Sequence, residues 1–594
     1  MSPGNAPANP FAVARELWQL LSAPQRRLAQ VQGLLMIVAM GFETLGVGLV
    51  FPLLAMVSKP GLGSGIPLIK TLRESLSLTG QTEWLVVVLL AFLAFYVAKT
   101  VFLAFFVWRQ ASFSLAIEAS LSGRLFKLYL DLPYTFHLQR NSAQLTRNVT
   151  LETATVKESL HFSMQLLTEV MVVLGLGLLL FVAEPVGAFA VLGVLGVAGW
   201  AILSFTRSRV TRWGVTQHHH QGLRLQHLQQ GLGSVKEVKL LGTEPEFLRR
   251  YVAHTGLALT PGQRLLVLQQ FPRLSFELLA ISGLVTLTVA MLLTGKSAEA
   301  LLPTLGLFAA AAFRLMPSVT RIVNAAQSLR FGAAAISNVR RELEMDPGAT
   351  PSARGLRRQT LSSAPLIEAK DVSYSYPGAV EPSLRGVDLS IEPGEIVGLI
   401  GGSGAGKSTL VDCLLGLLPP TGGVVSIDGR DVRTCMREWQ GMIGYVPQTI
   451  CLTDDSLRRN IAFGVGDGEI DDHAVWRALE SAQLADFVRT VPEGLDLPIG
   501  ERGIRLSGGQ KQRIGIARAL YWDPAVLVLD EATGALDEAT EADLMESVVT
   551  LKGRKTVLIV THRPSTLKYC SSVLRIEDGR IISEVSLTEP GLER

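Results

Sequence analysis

Apolar residues are concentrated in six stretches near residues 29–57, 84–107, 162–183, 186–206, 267–294 and 299–322, with none of comparable length after residue 330. A helix needs about 20 apolar residues to cross roughly 30 Å of hydrocarbon, and each stretch is long enough. Before the first, Phe11 to Leu21 alternates as an amphipathic helix lying on a membrane surface would. The first stretch follows Arg26 and Arg27 and lacks a small-residue cleavage site, so it is expected to be retained as a span rather than removed as a signal peptide. From about Leu366 the pattern changes to short apolar strands, turns and Gly-rich loops, after a polar linker near Pro347 to Ser363. The expected organisation is a membrane domain over 1–340, a linker over 341–365 and a soluble domain over 366–594.

The placement of Lys and Arg orients the spans. Arg109, Arg124, Lys127, Arg140, Arg147 and Lys157 lie between spans two and three. Arg207, Arg209, Arg212, Arg224, Lys236, Lys239, Arg249 and Arg250 lie between spans four and five. The positive-inside rule places both segments, and hence both ends of the chain, on the cytoplasmic side. They are polar and poor in Gly and Pro, so the helices are expected to run past the bilayer. Spans three and four are joined by a turn at Glu184 and Pro185, and spans five and six by a short loop around Lys296. After a GlyLeuGlySerGly run, Leu68, Ile69, Leu72 and Leu76 recur at helical spacing within Pro67 to Leu78, which predicts a short helix on the outer surface.

Composition agrees with a membrane protein. Of 594 residues, 48% are apolar and 18% charged, and the mean hydropathy is +0.33, too apolar for a disordered chain or an ordinary soluble enzyme. A net charge of +3 gives no electrostatic case for a nucleic-acid partner. Cys413, Cys435, Cys451 and Cys570 show neither a disulfide framework nor metal-ligand spacing and are expected as reduced thiols. His218, His219 and His220 occupy adjacent helical positions about 100° apart and do not face one metal together.

The soluble half carries the chemistry. Gly401, Gly402, Ser403, Gly404, Ala405, Gly406, Lys407, Ser408 and Thr409 follow the strand Ile396 to Ile400 and precede the helical run Leu410 to Leu418. This is a P-loop in its required strand-to-helix setting. Its glycines let backbone N–H groups cradle phosphates, Lys407 neutralises them, and the Ser408 hydroxyl suits Mg2+. Ala525 to Leu529 reads as a buried strand ending in Asp530 and Glu531, one carboxylate to help hold magnesium and one to polarise an attacking water. Leu506, Ser507, Gly508, Gly509 and Gln510, followed by Lys511, Gln512 and Arg513, form a Gly-rich turn into a helix that suits an anion.

In this order and spacing, these residues resemble the nucleotide-binding domain of ABC transporters across essentially the whole soluble half. The resemblance implies ATP and Mg2+ as cofactors and a Q-loop role at Gln448, which would share the metal with Ser408 and Asp530. It also implies adenine stacking at Tyr376 and a switch histidine at His562, which follows the strand Thr556 to Val560. Gly534, Ala535, Leu536 and Asp537 match the D-loop, with Gly534 where the family more often has Ser. Six spans followed by such an ATPase resemble an exporter half-transporter: an α-helical membrane domain with six transmembrane helices fused to an α/β P-loop ABC ATPase domain. In that family each ATP lies between the P-loop of one domain and the LSGGQ segment of another. One copy of each here implies pairing with a second chain. Because no catalytic position departs from the pattern, a second copy of the same chain, a homodimer, is a simpler reading than a heterodimer with a degenerate site. Leu132 to Asn141 and Leu241 to Arg250 are by position the candidate coupling helices.

Lys99, Arg273, Arg314 and Arg321, with Glu43 and Glu277, lie within or beside the apolar spans. Each buried basic residue costs roughly 2.5 to 3.5 kcal/mol on insertion scales, so the cations are expected either to line an anion-binding cavity or to pair with the glutamates between helices. Phe42-Glu43-Thr44, Val50-Phe51-Pro52, the outer-surface helix, Pro272-Arg273 and Phe313-Arg314-Leu315-Met316-Pro317-Ser318 with Arg321 resemble bacterial lipid-linked oligosaccharide flippases of the PglK type. That resemblance implies ATP-driven movement of a polyprenyl-diphosphate-linked oligosaccharide from the cytoplasmic to the outer leaflet of an inner membrane. An exporter of peptides, drugs or other glycolipids shares the motor and stays open. The absence of a cysteine-peptidase domain before the first span weighs against a processing exporter.

Overall fold

The computed structural model describes residues 10–49, 81–183, 185–293, 298–346, 364–534 and 536–586. The expected outer helix Pro67 to Leu78, the Val50-Phe51-Pro52 segment and most of the linker lie outside the described residues. Two compact units emerge, one drawn from residues 1–132 and 139–348, the other from 133–138 and 349–594.

In the first unit α1 (Pro10–Leu20) precedes α2 (Ala23–Gly48), whose Ser22 N–H donates to the Gln25 side chain at 2.9 Å. α3 (Gln81–Asp131) leads to α4 (Tyr134–Gln139) and α5 (Ser142–Arg147), and a π-turn over Asn148–Glu152 joins α5 to α6 (Thr153–Ala183). α7 (Pro185–Gly233), α8 (Val235–Leu241), α9 (Glu244–Leu268), α10 (Phe271–Leu293) and α11 (Ala298–Leu343) follow. The six apolar stretches map onto α2, α3, α6, α7, α10 and α11. Among the described residues four helical segments are long and apolar enough to cross a membrane: Ala23–Gly48, Leu85–Asp131, Ser142–Val182 and Val191–Gly233. α3 has 51 residues, so at 1.5 Å per residue it is about 75 Å long, well beyond a bilayer's hydrocarbon.

Helix packing rests on small residues. A Cβ on Gly214 of α7 would lie 2.1 Å from the Phe331 carbonyl of α11, and one on Gly332 of α11 would lie 2.3 Å from Ser159 Oγ of α6. Both glycines lie beyond the apolar stretches, where the helical extensions approach too closely for a side chain at either position. Val172, Leu176, Leu195, Phe276, Leu315 and Val323 form one apolar core, while Leu174, Leu178, Trp200, Phe205 and Leu278 point outward and exposed, as lipid contacts require. At the polar end a buried network ties three elements. The Tyr129 hydroxyl donates to Glu342 and accepts from Asn148 Nδ2, each at 2.9 Å, and Asn338 Nδ2 donates to Asn148 Oδ1 at 3.0 Å.

The coupling-helix candidates fare differently. Leu132 to Asn141 contains α4, and its residues 133–138 cluster with the soluble unit. Leu241 to Arg250 is not a separate helix: α8 closes at Gly242, whose φ of +61° ends it in the left-handed region. α9 then starts with Pro245 in its first turn and Glu244 and Glu246 at its positive end.

The second unit holds two sheets. β1 (Ile367–Tyr374), β2 (Leu384–Ile391), β4 (Gly422–Ile427) and β5 (Arg430–Asp431) pair antiparallel in the order β2-β1-β4-β5. The larger sheet runs β10-β9-β3-β8-β7-β6. There β3 (Ile396–Ile400), β6 (Ile443–Val446), β7 (Val526–Asp530), β8 (Thr556–Val560) and β9 (Ser572–Glu577) are parallel, and β10 (Arg580–Ser586) is the antiparallel edge. β7 and β8 are buried throughout, the continuous apolar run of strands covered on both faces. Leu410, Val411 and Leu414 of α12 (Lys407–Leu414) pack with Leu384, Val387 and Ile391 and so seat the P-loop helix between the sheets.

Candidate functional site

In the larger sheet β3, β8, β7 and β6 are consecutive neighbours and parallel, so the loops at their carboxyl ends gather at one edge, where such sheets bind ligands. Those loops are the P-loop after β3, His562 after β8, Asp530 and Glu531 at the end of β7, and Gln448 after β6. The topology thus brings together residues that are 160 positions apart in sequence.

The P-loop, Gly401 to Gly406, enters α12 with positive φ at Gly404 (+80°) and Gly406 (+106°). A Cβ on Gly401 would lie 2.3 Å from the Ile576 carbonyl, so that position has no room for a side chain. Lys407 Nζ donates to the carbonyls of Gly401 and Gly402 at 2.9 Å each, curling over its own loop. Ser408 is exposed, whereas Thr409 is buried and its hydroxyl lies 3.2 Å from that of Tyr376. Tyr376 is thereby held beside the P-loop helix. Ser403 and Ala405 are loop positions, the first exposed and the second half-buried.

Glu531 is the centre of the cluster. Gln448 Nε2 donates to its Oε2 at 2.7 Å, and His562 Nδ1 lies 3.6 Å from its Oε1. The backbone of Glu531 has φ +48°, an uncommon conformation for a side-chain-bearing residue, and its N–H bonds to the Val560 carbonyl at 3.0 Å. Neighbouring Asp530 is buried, and Tyr445 donates to it at 3.4 Å. Burial first, and the Glu531 charge second, raise the Asp530 carboxyl above its ordinary value. Burial and Asp530 likewise push Asp412 up to about 6. Burial, Asp412 and Tyr376 raise the phenol of Tyr134 in α4.

The signature segment is built differently. Ser507 caps α13 (Gly508–Leu520): Gln510 N–H donates to Ser507 Oγ at 3.2 Å and Ser507 N–H to Gln510 Oε1 at 2.8 Å. Gly508 and Gly509 open the helix, whose first-turn N–H groups are suited to receive an anion. No hydrogen bond among the described residues joins Ser507, Gly508, Gly509 or Gln510 to the P-loop or to Glu531.

Three side chains escaped the sequence reading. Tyr445 and Asp412 surround Asp530, and nothing in their local pattern sets them apart. Glu541 had a signal: with Leu544, Met545 and Val548 it forms the buried face of α14 (Glu538–Val549), an acid at a core-facing position. It is 3% exposed and accepts from Arg563 at 2.9 Å and from Thr566 at 2.5 Å.

In the membrane unit Lys99 pairs with Glu43 at 2.9 Å, and Arg321 pairs with Glu169 at 2.5 Å, a partner the sequence did not suggest. Arg273 is exposed on α10 and has no ion pair among the described residues. Arg314 lies in α11 with its side chain outside the described ones. Glu277 is exposed. The histidine run diverges, with His218 2.7 Å from Glu152 and His220 3.1 Å from His254.

Comparison with known proteins agrees with both units. Residues 384–534 match the family described as ABC transporter, and residues 45–297 match the ABC transporter transmembrane region. An ATP-dependent lipid A-core flippase of Cupriavidus metallidurans is 31% identical over 78% of this chain and 78% of its own. The mouse protein ATP-binding cassette sub-family B member 10, mitochondrial, is 31% identical over 80% of this chain and 67% of its own. A solved structure of a bacterial Atm1-family ABC exporter with ATP bound is similar in fold, with TM-score 0.76, 23% identity, and coverage of 95% of this chain and 96% of that one.

Proposed function

The chain belongs to the ABC transporters and has the exporter fold, with ATP hydrolysis coupled to transport; from that premise we propose that it moves an amphipathic lipid with an anionic, sugar-bearing head group across an inner membrane. The observation that carries the lipid class is the similarity to lipid A-core flippases over 78% of both chains. A polyprenyl-diphosphate-linked oligosaccharide has the same chemistry of a phosphate, a large sugar head and hydrocarbon tails, and is the specific substrate we propose. It travels from the cytoplasmic to the outer leaflet, with both chain termini cytoplasmic. Arg273 and Arg314 contact the phosphates. Lys99 and Arg321 contribute when Glu43 and Glu169 release them, and until then the pairs spare the membrane their charge.

The motor works through the Glu531 cluster. Lys407 exchanges the carbonyls of Gly401 and Gly402 for nucleotide phosphates, and the P-loop N–H groups bind the rest. Tyr376 stacks on adenine. Glu531 polarises the attacking water, Gln448 orients its carboxylate, and His562 approaches the γ-phosphate. Asp530, Glu531 and Asp412 concentrate negative charge, and with the oxygens of Ser408, Gln448 and Asp530 they fit a divalent cation. Mg2+ bound there neutralises charge on the phosphates. The signature residues Ser507 to Gln510 bind the nucleotide held by a second copy, so the working unit is a homodimer.

The test is ATPase activity of the reconstituted protein with added lipids. Lipid-diphosphate oligosaccharide is expected to raise kcat, Arg273→Ala and Arg314→Ala to blunt that stimulation, and basal hydrolysis to persist. Stimulation by peptides or drugs, with no response to any lipid diphosphate, would overturn the substrate assignment.

A further inference from the structure

We infer that Arg563 is a positioning residue for ATP hydrolysis, fixing the turn that carries Glu531 to the loop that carries His562. Its guanidinium reaches three groups. It donates to the Gly534 carbonyl at 2.9 Å, to the Leu536 carbonyl at 3.5 Å and to Glu541 Oε2 at 2.9 Å. The Gly534 N–H in turn bonds to the Glu531 carbonyl at 3.2 Å, and the Glu531 N–H to Val560 at the end of β8. Arg563 N–H bonds to Thr561 Oγ1 at 3.0 Å, and His562 stands between those two residues. The bonds therefore close a ring from β8 through His562 and Arg563 to Gly534, back to Glu531 and to β8 again.

Two features make Arg563 the residue on which this ring depends. The first is Gly534 itself, exposed and without a side chain, so the turn is held at that position only by its backbone. A Cβ there would meet nothing closer than the Glu531 carbonyl at 3.4 Å, so the glycine is not imposed by crowding. The second is Glu541, buried on α14 and already bonded to Thr566, which offers the guanidinium a fixed counter-charge. A planar fork of N–H donors anchored on one side presents its remaining donors in a set direction, which lysine's single ammonium does not reproduce. Glu531 holds a strained backbone conformation, and a strained residue keeps its place only when its surroundings over-determine it.

The experiment measures ATP hydrolysis, nucleotide binding and melting temperature of the full chain in lipid nanodiscs for Arg563→Lys, Glu541→Gln and the double variant. Arg563→Lys keeps a cation for Glu541 but loses the fork. It is expected to lower kcat about tenfold, as small misplacements of a reacting group do, with KM for ATP and melting temperature unchanged. The double variant is expected to fall no further in kcat than Arg563→Lys, because Glu541 acts on the reaction through Arg563. Wild-type kcat in Arg563→Lys would overturn the inference. So would a loss of kcat that tracks a fall in melting temperature and is recovered on cooling, since a purely structural contact behaves that way.

Discussion

Glu531 is the residue on which the proposed hydrolysis turns. Gln448 lies 2.7 Å and His562 3.6 Å from its carboxylate, the group proposed to polarise the attacking water. Glu531→Gln is expected to lower ATP hydrolysis at least about hundredfold, the usual worth of a positioned base, while fluorescent-nucleotide binding stays at wild-type strength. Glu541 gives a pH signature. Burial opposes its ionisation, but hydrogen bonds from Thr566 and Arg563 outweigh this and hold its carboxyl below the ordinary 4.5. The unfolded chain therefore binds more protons than the folded one over that window, and the stability Glu541 supplies is full above about pH 4.5 and lost as pH falls through the folded value. Melting curves from pH 7 to pH 3 are expected to show a smaller acid-side loss for Glu541→Gln than for wild type. The cysteines differ by burial: Cys413, Cys435 and Cys570 are buried, with the thiols of Cys413 and Cys570 pushed up to about 12 and about 11, while Cys451 is exposed. One maleimide per chain, at Cys451, is the expected labelling of the native protein by mass spectrometry. The P-loop, Glu531 and His562 were legible in sequence because phosphate chemistry fixes residue type and spacing locally. Arg563, Tyr445 and Glu169 were not, because their roles arise only from contacts between distant segments.

At the scale of elements, hydropathy marked where the long helices lie but not where they end. α3, α7 and α11 run 51, 49 and 46 residues, because their polar continuations keep helical propensity and bury faces against one another. The expected single helix over Leu241 to Arg250 is split near its start by Gly242, a left-handed glycine that periodicity does not register. The crossing of α7 on α11 depends on Gly214, whose added Cβ would strike the Phe331 carbonyl at 2.1 Å. Gly214→Ala is expected to destabilise the membrane unit by about 1 to 3 kcal/mol, as overpacking does, read as a lower melting temperature in detergent. An unchanged melting temperature would mean that the two helices do not meet there.

At the scale of the whole molecule, one P-loop and one signature segment per chain would, on the proposed reading, leave each chain half of two sites. The proposed homodimer makes a complementation prediction. Lys407→Ala disables the P-loop and Ser507→Arg the signature, so each variant alone is expected to be inactive. A mixed dimer of the two contains one site with both halves intact, and its hydrolysis is expected to recover in part; no recovery would place both halves of each site in one chain. The motor was legible in sequence; of the membrane charges, Glu43 was foreseen as a partner for the cations and pairs with Lys99, whereas the pairing of Arg321 with Glu169 became evident only in the folded helices. The most direct measurement of the account is ATP-dependent translocation of a fluorescent polyprenyl-diphosphate oligosaccharide in liposomes, run beside Glu531→Gln. The account predicts movement with wild type and none with Glu531→Gln; ATP hydrolysis by the wild type without any movement of that lipid would contradict it.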